Sequence, residues 1–194
     1  LISPTVLHRT AASHRVVLYN LEQLVGSGYI DRFAAASWSC TLWDYSQRNI
    51  DAVKARDAKG PPLLVPFGHV PEMTRIAVDE PLIDALFYGA LNPRRAAILD
   101  QLRAKGLEVV HLMGVYGQKR DEQIAHAKIV LNMHYYPEEI FEVVRCSYAW
   151  SNRIAVVSER NDPNNKTFDG YAHFAPYDGL VDACVHLVND DFAR

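Results

Sequence analysis

The stretch that most constrains the fold of this chain is residues 128–159, where strand-like and helix-like patterns alternate. It begins with the short β-branched run 129–131, which is typical of a parallel strand buried on both faces. A turn follows at Pro137, and 154–157 reads as a returning strand. Between them, apolar residues recur at helical spacing: Ile140, Phe141, Val144 and Tyr148. This order predicts a βαβ unit with parallel strands.

Polar side chains begin where the first strand of this unit ends. Asn132 and His134 follow the apolar run, and the turn continues through Tyr135, Tyr136, Pro137 and Glu138. Ligands of open α/β sheets bind outside the carboxyl ends of the strands, so we expect a ligand at this turn. Glu142 and Arg145 are three residues apart on the predicted helix, so we expect them to project from one side of it.

The same alternation runs through the rest of the chain. Before residue 66, strands are predicted at 15–19, 40–43 and 63–65 and helices at 29–36 and 46–58, whereas residues 1–13 show no clear period. A linker is predicted at 71–81. Beyond it we expect strands at 85–88, 109–113 and 172–174, and helices at 93–105, 120–127 and 177–188. The pattern predicts an α/β protein with Rossmann-like parallel sheets in two lobes, residues 1–75 and 76–194.

Composition narrows the functional class. The chain has 194 residues, 49% of them hydrophobic and 22% charged, which is typical of one or two globular domains. Its formal net charge of −3 gives no sign of nucleic-acid or membrane-surface binding, so any anion must be bound by local groups. The apolar runs are far shorter than the roughly 20 residues of a membrane span. Because the N-terminus also lacks the pattern of a signal peptide, we expect a cytoplasmic protein without a transmembrane segment.

Neither a disulfide framework nor a metal site is expected. Cys40, Cys146 and Cys184 form no C-x-x-C pair and are predicted to be small buried apolar residues. Four histidines at predicted strand or helix positions show no metal-ligand spacing: His111, His126, His173 and His186.

A turn followed by two arginines is a candidate phosphate site. Gly89 follows a predicted strand, Asn92 precedes a predicted helix, and Arg94 and Arg95 lie in its first turn. Backbone N–H groups at a helix N-terminus attract phosphate, and guanidinium groups add bidentate contacts. Positive charge there opposes the helix dipole, so we interpret these arginines as a diphosphate site, with solvated helix residues as the alternative. The glycines do not form a dinucleotide fingerprint or a P-loop.

Other binding candidates follow the strands of the second lobe. Glu142 can accept hydrogen bonds from both hydroxyl groups of a ribose. The alternative is that it is an exposed residue paired with Arg145. His134 can donate to a phosphate or sugar hydroxyl, or it is structural. Tyr116, Gly117 and Lys119 follow the strand predicted at 109–113 and can form the floor beneath a base.

Four residues of the first lobe are candidates for acid or base chemistry. They have the side-chain types that transfer protons and lie close to the ends of predicted strands or loops. They are Glu22, Asp44, His14 and His69.

Residues 85–159 contain FYGALNPRR, LNMHYY, FEVVR and IAVVSE in this order, and this run resembles the C-terminal, nucleotide-sugar-binding lobe of GT-B glycosyltransferases. It is most similar to the group-1-like set that includes spore-maturation-type enzymes. The resemblance implies two Rossmann-like lobes facing a cleft, with the sugar donor mainly on the second. It also implies that basic residues and helix dipoles, without a metal, hold the diphosphate.

Individual residues match the motifs of that family. Its glycine turn with a following arginine matches Gly89 to Arg95, and its ribose-binding glutamate, the second of an E-x7-E element, matches Glu142. The first glutamate of that element is replaced by His134. The small-residue stretch of the family is replaced by EVVRCSYAWSN, with Arg145 at an alanine-type position.

The first lobe has weaker resemblances. Its segments YNLEQ and WDYSQRN are similar to those that precede the donor lobe in some uncharacterised bacterial glycosyltransferases. The lobe is shorter than the first lobe of the family. The acceptor side is therefore expected to be minimal, truncated, or completed by another chain or a dimer partner.

We therefore expect a metal-independent glycosyltransferase of polysaccharide biosynthesis, which transfers a sugar from a nucleotide-diphosphate-sugar donor to a glycan or other hydroxyl acceptor. Asp44 or Glu22 would be the base, and His134 would contact phosphate or sugar. One alternative is a non-catalytic module of GT-like fold that binds a nucleotide or a partner. Another is an unrelated α/β enzyme, such as a flavodoxin-like domain, that uses the same strand-end cleft.

Overall fold

The structure is a computed structural model that describes residues 3–136, 140–160 and 166–190. The chain forms two compact units, Leu1–Phe67 and Gly68–Arg194. The first contains a three-stranded sheet and the second a five-stranded sheet. All strand pairs in the described residues are parallel. The predicted α/β class with Rossmann-like parallel sheets is therefore confirmed.

The first unit has the sheet order β1-β2-β3. Its elements are α1 (Pro4–Ala11), β1 (Val17–Asn20), α2 (Ile30–Ala36), β2 (Thr41–Asp44), α3 (Gln47–Lys54) and β3 (Leu63–Leu64). No element was predicted within residues 1–13, yet the structure forms α1 there. Pro4 lies in the first turn of α1, and Leu7 is buried in the core with Phe33, Leu42 and Val53.

The second unit has the sheet order β5-β4-β6-β7-β8. After a 3₁₀ turn at Pro71–Met73 come β4 (Ile83–Tyr88), α4 (Pro93–Ala104), β5 (Val109–Leu112), α5 (Gln118–Ala125) and β6 (Ala127–Asn132). They are followed by α6 (Val143–Ser151), β7 (Ala155–Glu159), β8 (His173–Ala175), a 3₁₀ turn at Tyr177–Gly179 and α7 (Leu180–Asn189).

Helices cover both faces of this sheet. Phe87 of β4 packs in one core with residues of α4 and α7, such as Leu99 and Leu180. Its neighbour Leu86 packs in a second core with Ile124 of α5 and residues of α6. Successive side chains of a strand point to opposite faces, so one short apolar strand supplies both cores.

The strand order places a topological switch point between β4 and β6. After β4 the chain moves to β5 on one side, and it then returns to β6 on the other side. The loops that follow β4 and β6 therefore leave the sheet toward opposite faces and open a crevice between them. Ligands of doubly wound sheets bind in such crevices, at the carboxyl ends of the strands.

Two element boundaries near this crevice differ from the predictions. The helix predicted from Ile140 begins at Val143, with Glu142 at its N-cap. Phe141 is instead part of an aromatic cluster, with its ring 5.9 Å from that of Trp150. The strand predicted to end at residue 157 continues to Glu159. Its last two residues, Ser158 and Glu159, are polar but buried, and they form hydrogen bonds with groups at the end of β6. Residues 137 and 138 of the predicted ligand turn lie outside the described residues.

Candidate functional site

Most of the binding residues predicted in the second unit converge on the crevice between β4 and β6. Gly89 follows β4 and Asn132 ends β6. The Asn92 side chain caps α4 by accepting a hydrogen bond from the Arg95 backbone N–H (2.9 Å). Its amide group also donates to the Tyr135 carbonyl (2.7 Å) and ties the start of α4 to the turn after β6. The start of α6 supplies the remaining members of the site.

Glu142 lies at the centre of this group. Its Oε2 is 3.0 Å from His134 Nδ1 and accepts a hydrogen bond of 3.0 Å from the Asn132 amide. Its Oε1 is 3.5 Å from Arg95 Nη2. The side chain is 22% exposed, so part of the carboxylate faces solvent.

The surroundings of Glu142 favour its charged form. Burial acts to raise its pKa, but the hydrogen bond and charge of His134, the charge of Arg145 and the Asn132 amide outweigh it. They hold the pKa of the Glu142 carboxyl below its usual value. The site therefore contains a carboxylate that is ionised at neutral pH.

Arg145 crosses from α6 to the end of β4. Its Nη1 donates to Asn132 Oδ1 (2.7 Å), and its Nη2 lies 3.1 Å from the point where a Cβ atom would be on Gly89. Gly89 has a φ of +144°, which side chains disfavour. The chain therefore needs glycine here both for its backbone conformation and for the approach of this guanidinium.

Arg95 is buried within the strand ends. Its side chain donates to the carbonyl groups of Ala90 (2.9 Å), His134 (3.3 Å) and Met133. Arg95 is only 4% exposed. Its guanidinium therefore holds the turn after β4 against the end of β6.

Arg94 is also engaged within the chain. Two of its nitrogens donate to the two carboxylate oxygens of Glu159, and Nη1 is 3.2 Å from the His134 carbonyl oxygen. Its Cζ lies 3.8 Å from the centre of the Tyr177 ring. The two arginines predicted to bind a diphosphate thus both brace the crevice from its α4 side.

Glu159 is a site residue that the sequence reasoning missed. It is 1% exposed, and besides the Arg94 pair it accepts a hydrogen bond from the His134 backbone N–H (3.0 Å). The signal available was its place directly after a buried apolar strand, at the same edge as Asn132. A charged side chain at that point either meets a ligand or is paired inside the protein.

The crevice has an excess of positive charge in its described part. Three guanidinium groups, of Arg94, Arg95 and Arg145, are set against the carboxylates of Glu142 and Glu159. The local charge is thus opposite in sign to the net charge of −3 of the whole chain.

Tyr116 and Gly117 lie beyond β5, next to β4 in the sheet. Gly117 is the N-cap of α5 with a φ of +60°, and Tyr116 is 77% exposed. The structure therefore places an exposed aromatic ring at the same edge of the sheet as the crevice. It follows β5, which is separated from β6 by β4 in the sheet.

The first unit has its own polar cluster at the carboxyl ends of β1 and β2. Asp44 is fully buried and accepts hydrogen bonds from the Asn20 amide (2.7 Å), the Asn49 amide (3.2 Å) and the Ser46 backbone N–H (2.8 Å). Burial raises the pKa of the Asp44 carboxyl, and these hydrogen bonds offset only part of that effect. Asp44 therefore organises the strand ends from inside the unit.

Glu22 lies at the same edge and is exposed. Its carbonyl oxygen accepts from Asn20 Nδ2 (2.7 Å) and Asn49 Nδ2 (2.9 Å), and its N–H donates to Asn20 Oδ1 (3.1 Å). The backbone of Glu22 is thus held in place while its side chain faces solvent. Neither asparagine was singled out from the sequence, although each is a short amide beside a predicted strand end.

Two kinds of feature are absent from the described ranges. No group of three or more His, Cys, Asp or Glu side chains there has the arrangement of a metal site. No helix in those ranges combines the length and the apolar character that crossing a membrane requires.

Comparison with known proteins gives relatives of undetermined function. No family profile matches the chain. It is 28% identical over 186 residues to the uncharacterized protein L140 of Acanthamoeba polyphaga mimivirus, an alignment that covers 90% of this chain and 59% of that protein. It is also 28% identical over 183 residues to the uncharacterized protein R358 of the same virus, covering 91% of this chain and 63% of R358. The uncharacterized protein L138 is 33% identical over 104 residues, or 50% of this chain and 12% of L138. The chain thus spans less than two thirds of each of these relatives.

Proposed function

We propose that the second unit binds a nucleotide-diphosphate sugar in the crevice between β4 and β6, and that the protein is a metal-independent glycosyltransferase. The observation that supports this best is the convergence of Glu142, Arg145, Asn132 and His134 at the topological switch point. Side chains from the end of β6 and the start of α6 meet there, and Arg145 reaches Gly89 at the end of β4. In α/β proteins, nucleotides bind at such switch points.

Each part of the donor then has a partner of suitable chemistry. The partly exposed, ionised carboxylate of Glu142 accepts hydrogen bonds from the two ribose hydroxyl groups. His134 is 2% exposed and its Nδ1 is 3.0 Å from Glu142 Oε2, so it acts by holding Glu142 in position. Arg145 and the turn from Gly89 to Asn92 face the diphosphate. Negative charge develops there as the sugar departs, and fixed positive groups lower the energy of that transition state.

Within the first unit, we propose one residue for acid or base chemistry. Glu22 fits this role better than Asp44, because its carboxylate is exposed on a backbone held by Asn20 and Asn49. Asp44 would act indirectly, by orienting both asparagines. The acceptor in this proposal is a glycan or another hydroxyl compound.

The second candidate function is a nucleotide-binding module without catalysis. The engagement of Arg94 and Arg95 inside the protein favours it, because those two side chains then contribute little direct contact to a departing diphosphate. A module of this kind would bind the nucleotide through Glu142 and would neither transfer nor hydrolyse the sugar.

The test is calorimetric titration with UDP, GDP, CMP, dTDP and ADP, with and without EDTA. We expect one nucleotide to bind with micromolar affinity, unaffected by EDTA, and the Glu142→Ala variant to lose this binding. Glu122→Ala changes an exposed glutamate on α5 and is the matched control. Binding that survives in Glu142→Ala, or no binding by any nucleotide, would overturn the proposed donor site. Release of sugar from the corresponding nucleotide sugar then separates the enzyme from the non-catalytic module.

A further inference from the structure

A second cluster of arginines lies on the α5 and α6 side of the crevice, around two tyrosines. Tyr88 ends β4, and Tyr148 lies on α6. The Arg120 Cζ is 5.6 Å from the centre of the Tyr88 ring and 4.9 Å from that of Tyr148. Arg145 is 5.5 Å from the Tyr88 ring, and Arg75 is 5.5 Å from the Tyr148 ring. Three guanidinium groups therefore gather around two rings.

The carboxylate in contact with this cluster is that of Asp121. Its Oδ2 accepts from Arg75 Nε (3.1 Å) and lies 3.0 Å from Arg75 Nη2. Its Oδ1 is 3.6 Å from Arg120 Nη2, which is beyond hydrogen-bond distance. Arg145 also interacts with the charge of Glu142, so three positive groups are set against two carboxylates, Asp121 and Glu142.

Arg120 has unused hydrogen-bonding capacity in this cluster. Its Nε is buried and has no hydrogen-bond partner within the described ranges, and its side chain is 22% exposed. Buried donors in native proteins nearly always have a partner, so this group calls for an explanation. Arg120 also lies in the first turn of α5, where backbone N–H groups add to the attraction for an anion.

We infer that Arg120, together with Arg75 and Arg145, binds a phosphate group at the edge of the crevice next to Tyr88. The three guanidinium groups come from α5, from the segment before β4 and from α6, so they approach from different directions. A tetrahedral anion with several oxygens can accept hydrogen bonds from all three guanidinium groups. A planar carboxylate is satisfied by the two parallel hydrogen bonds of a single guanidinium. The identification of this phosphate as part of the nucleotide-sugar donor rests on the proposed function.

This site differs from the one that the sequence predicts. The predicted phosphate ligands, Arg94 and Arg95, lie on α4, and their guanidinium groups bind Glu159 and backbone carbonyl groups. Arg120 lies on α5, which packs in the core of the opposite face of the sheet. The phosphate is therefore held from the α5 and α6 side, and the α4 arginines support the strand ends.

The experiment is titration of the full chain with inorganic pyrophosphate, followed by calorimetry. We expect Arg120→Ala to weaken pyrophosphate binding by roughly tenfold to a hundredfold, the effect of losing charge-assisted hydrogen bonds. Arg120→Lys keeps the charge but loses Nε, so it should restore only part of the affinity. Arg103→Ala removes an exposed arginine on α4 and should leave the affinity unchanged. In the unmodified protein, the Nε–H resonance of Arg120 should shift downfield in ¹⁵N NMR when pyrophosphate is added.

The possible outcomes separate this inference from the proposed function. If pyrophosphate binding is the same in Arg120→Ala and the unmodified protein, or if the Nε–H resonance does not shift, the phosphate site is wrong. A nucleotide that still binds through Glu142 would then leave the donor proposal standing. If pyrophosphate binds through Arg120 while no nucleotide binds, the phosphate site is correct and the donor proposal fails.

Discussion

The substitution Glu159→Gln tests whether the buried pair of Glu159 and Arg94 holds the edge of the second sheet together. Glu159 is 1% exposed and receives two hydrogen bonds from Arg94 and one from the His134 N–H. Glutamine has nearly the same shape but only one acceptor oxygen and no charge. At least one of these bonds is lost, and the Arg94 guanidinium, 19% exposed, loses the charge of Glu159.

The expected loss of unfolding free energy is about 2–4 kcal/mol. Removing one partner of a fully buried ion pair costs roughly 3–5 kcal/mol, because the remaining charge is left uncompensated. Partial exposure of Arg94 reduces this figure, since water can solvate some of the remaining charge. The control is Asp100→Asn, which breaks an exposed pair with Arg103 on the same helix. That change should cost about 0.5 kcal/mol or less.

The assay is urea unfolding followed by tryptophan fluorescence. Trp150 is the tryptophan of the second unit, so both variants are made with Trp38→Phe and Trp43→Phe to remove the signals from the first unit. Adding Arg94→Met to Glu159→Gln should recover part of the loss, because the guanidinium that has lost the Glu159 charge is then removed as well. If Glu159→Gln is no more destabilising than Asp100→Asn, the pair does not hold the strand ends and our reasoning is refuted.

Two further substitutions test features of the two strand edges. Gly89→Ala should destabilise the second unit by about 1–3 kcal/mol and weaken nucleotide binding, because its φ is +144° and Arg145 Nη2 lies 3.1 Å from the added Cβ position. Urea unfolding and calorimetry measure both effects. Gly68→Ala, which meets nothing within 4 Å, is the control, and an equal effect of the two changes would contradict the explanation. Asp44→Asn should remove a pH dependence of the stability of the first unit. The pKa of buried Asp44 is raised above its ordinary 3.8, so its contribution to stability is fully present below that value and is lost as pH rises through the folded-state pKa. Unfolding midpoints between pH 3.5 and 7, followed by Trp43 fluorescence, check this, and an unchanged pH profile in Asp44→Asn would exclude it.

The α/β class and most elements were predictable because their signals are local. A parallel strand buried on both faces needs only a short apolar run, as in β4 and β6, and both cores of the second unit use residues of these runs. Helix α4 was equally clear, since Pro93 near its first position and Gly106 after its end are typical helix boundary residues. The register of the strands and the position of the switch point were not predictable, because they depend on pairs of distant segments.

The start of α6 shows where a local signal fails. Phe141 continues the helical spacing of the residues after it, so the sequence predicts a helix that includes it. In the structure, its ring packs against Trp150, Phe168 and Phe174, and the helix begins only after Glu142. Tertiary packing overrides the local period here. As a result, the Glu142 carboxylate lies at the helix start, beside His134.

The sequence by itself determined the fold class, the positions of most strands and helices, and the edge of the sheet where polar residues collect, because these follow from periodicity and from short polar motifs. The tertiary structure alone decided which charges at that edge are paired inside the protein and which remain available for a ligand. Arg94 binds Glu159 from 65 residues away, whereas Arg120, which no motif indicated, has a buried Nε without a partner in the described part of the chain. The pairing of a charge depends on which distant groups the fold brings within a few ångströms of it, and residue types along the chain do not encode that distance.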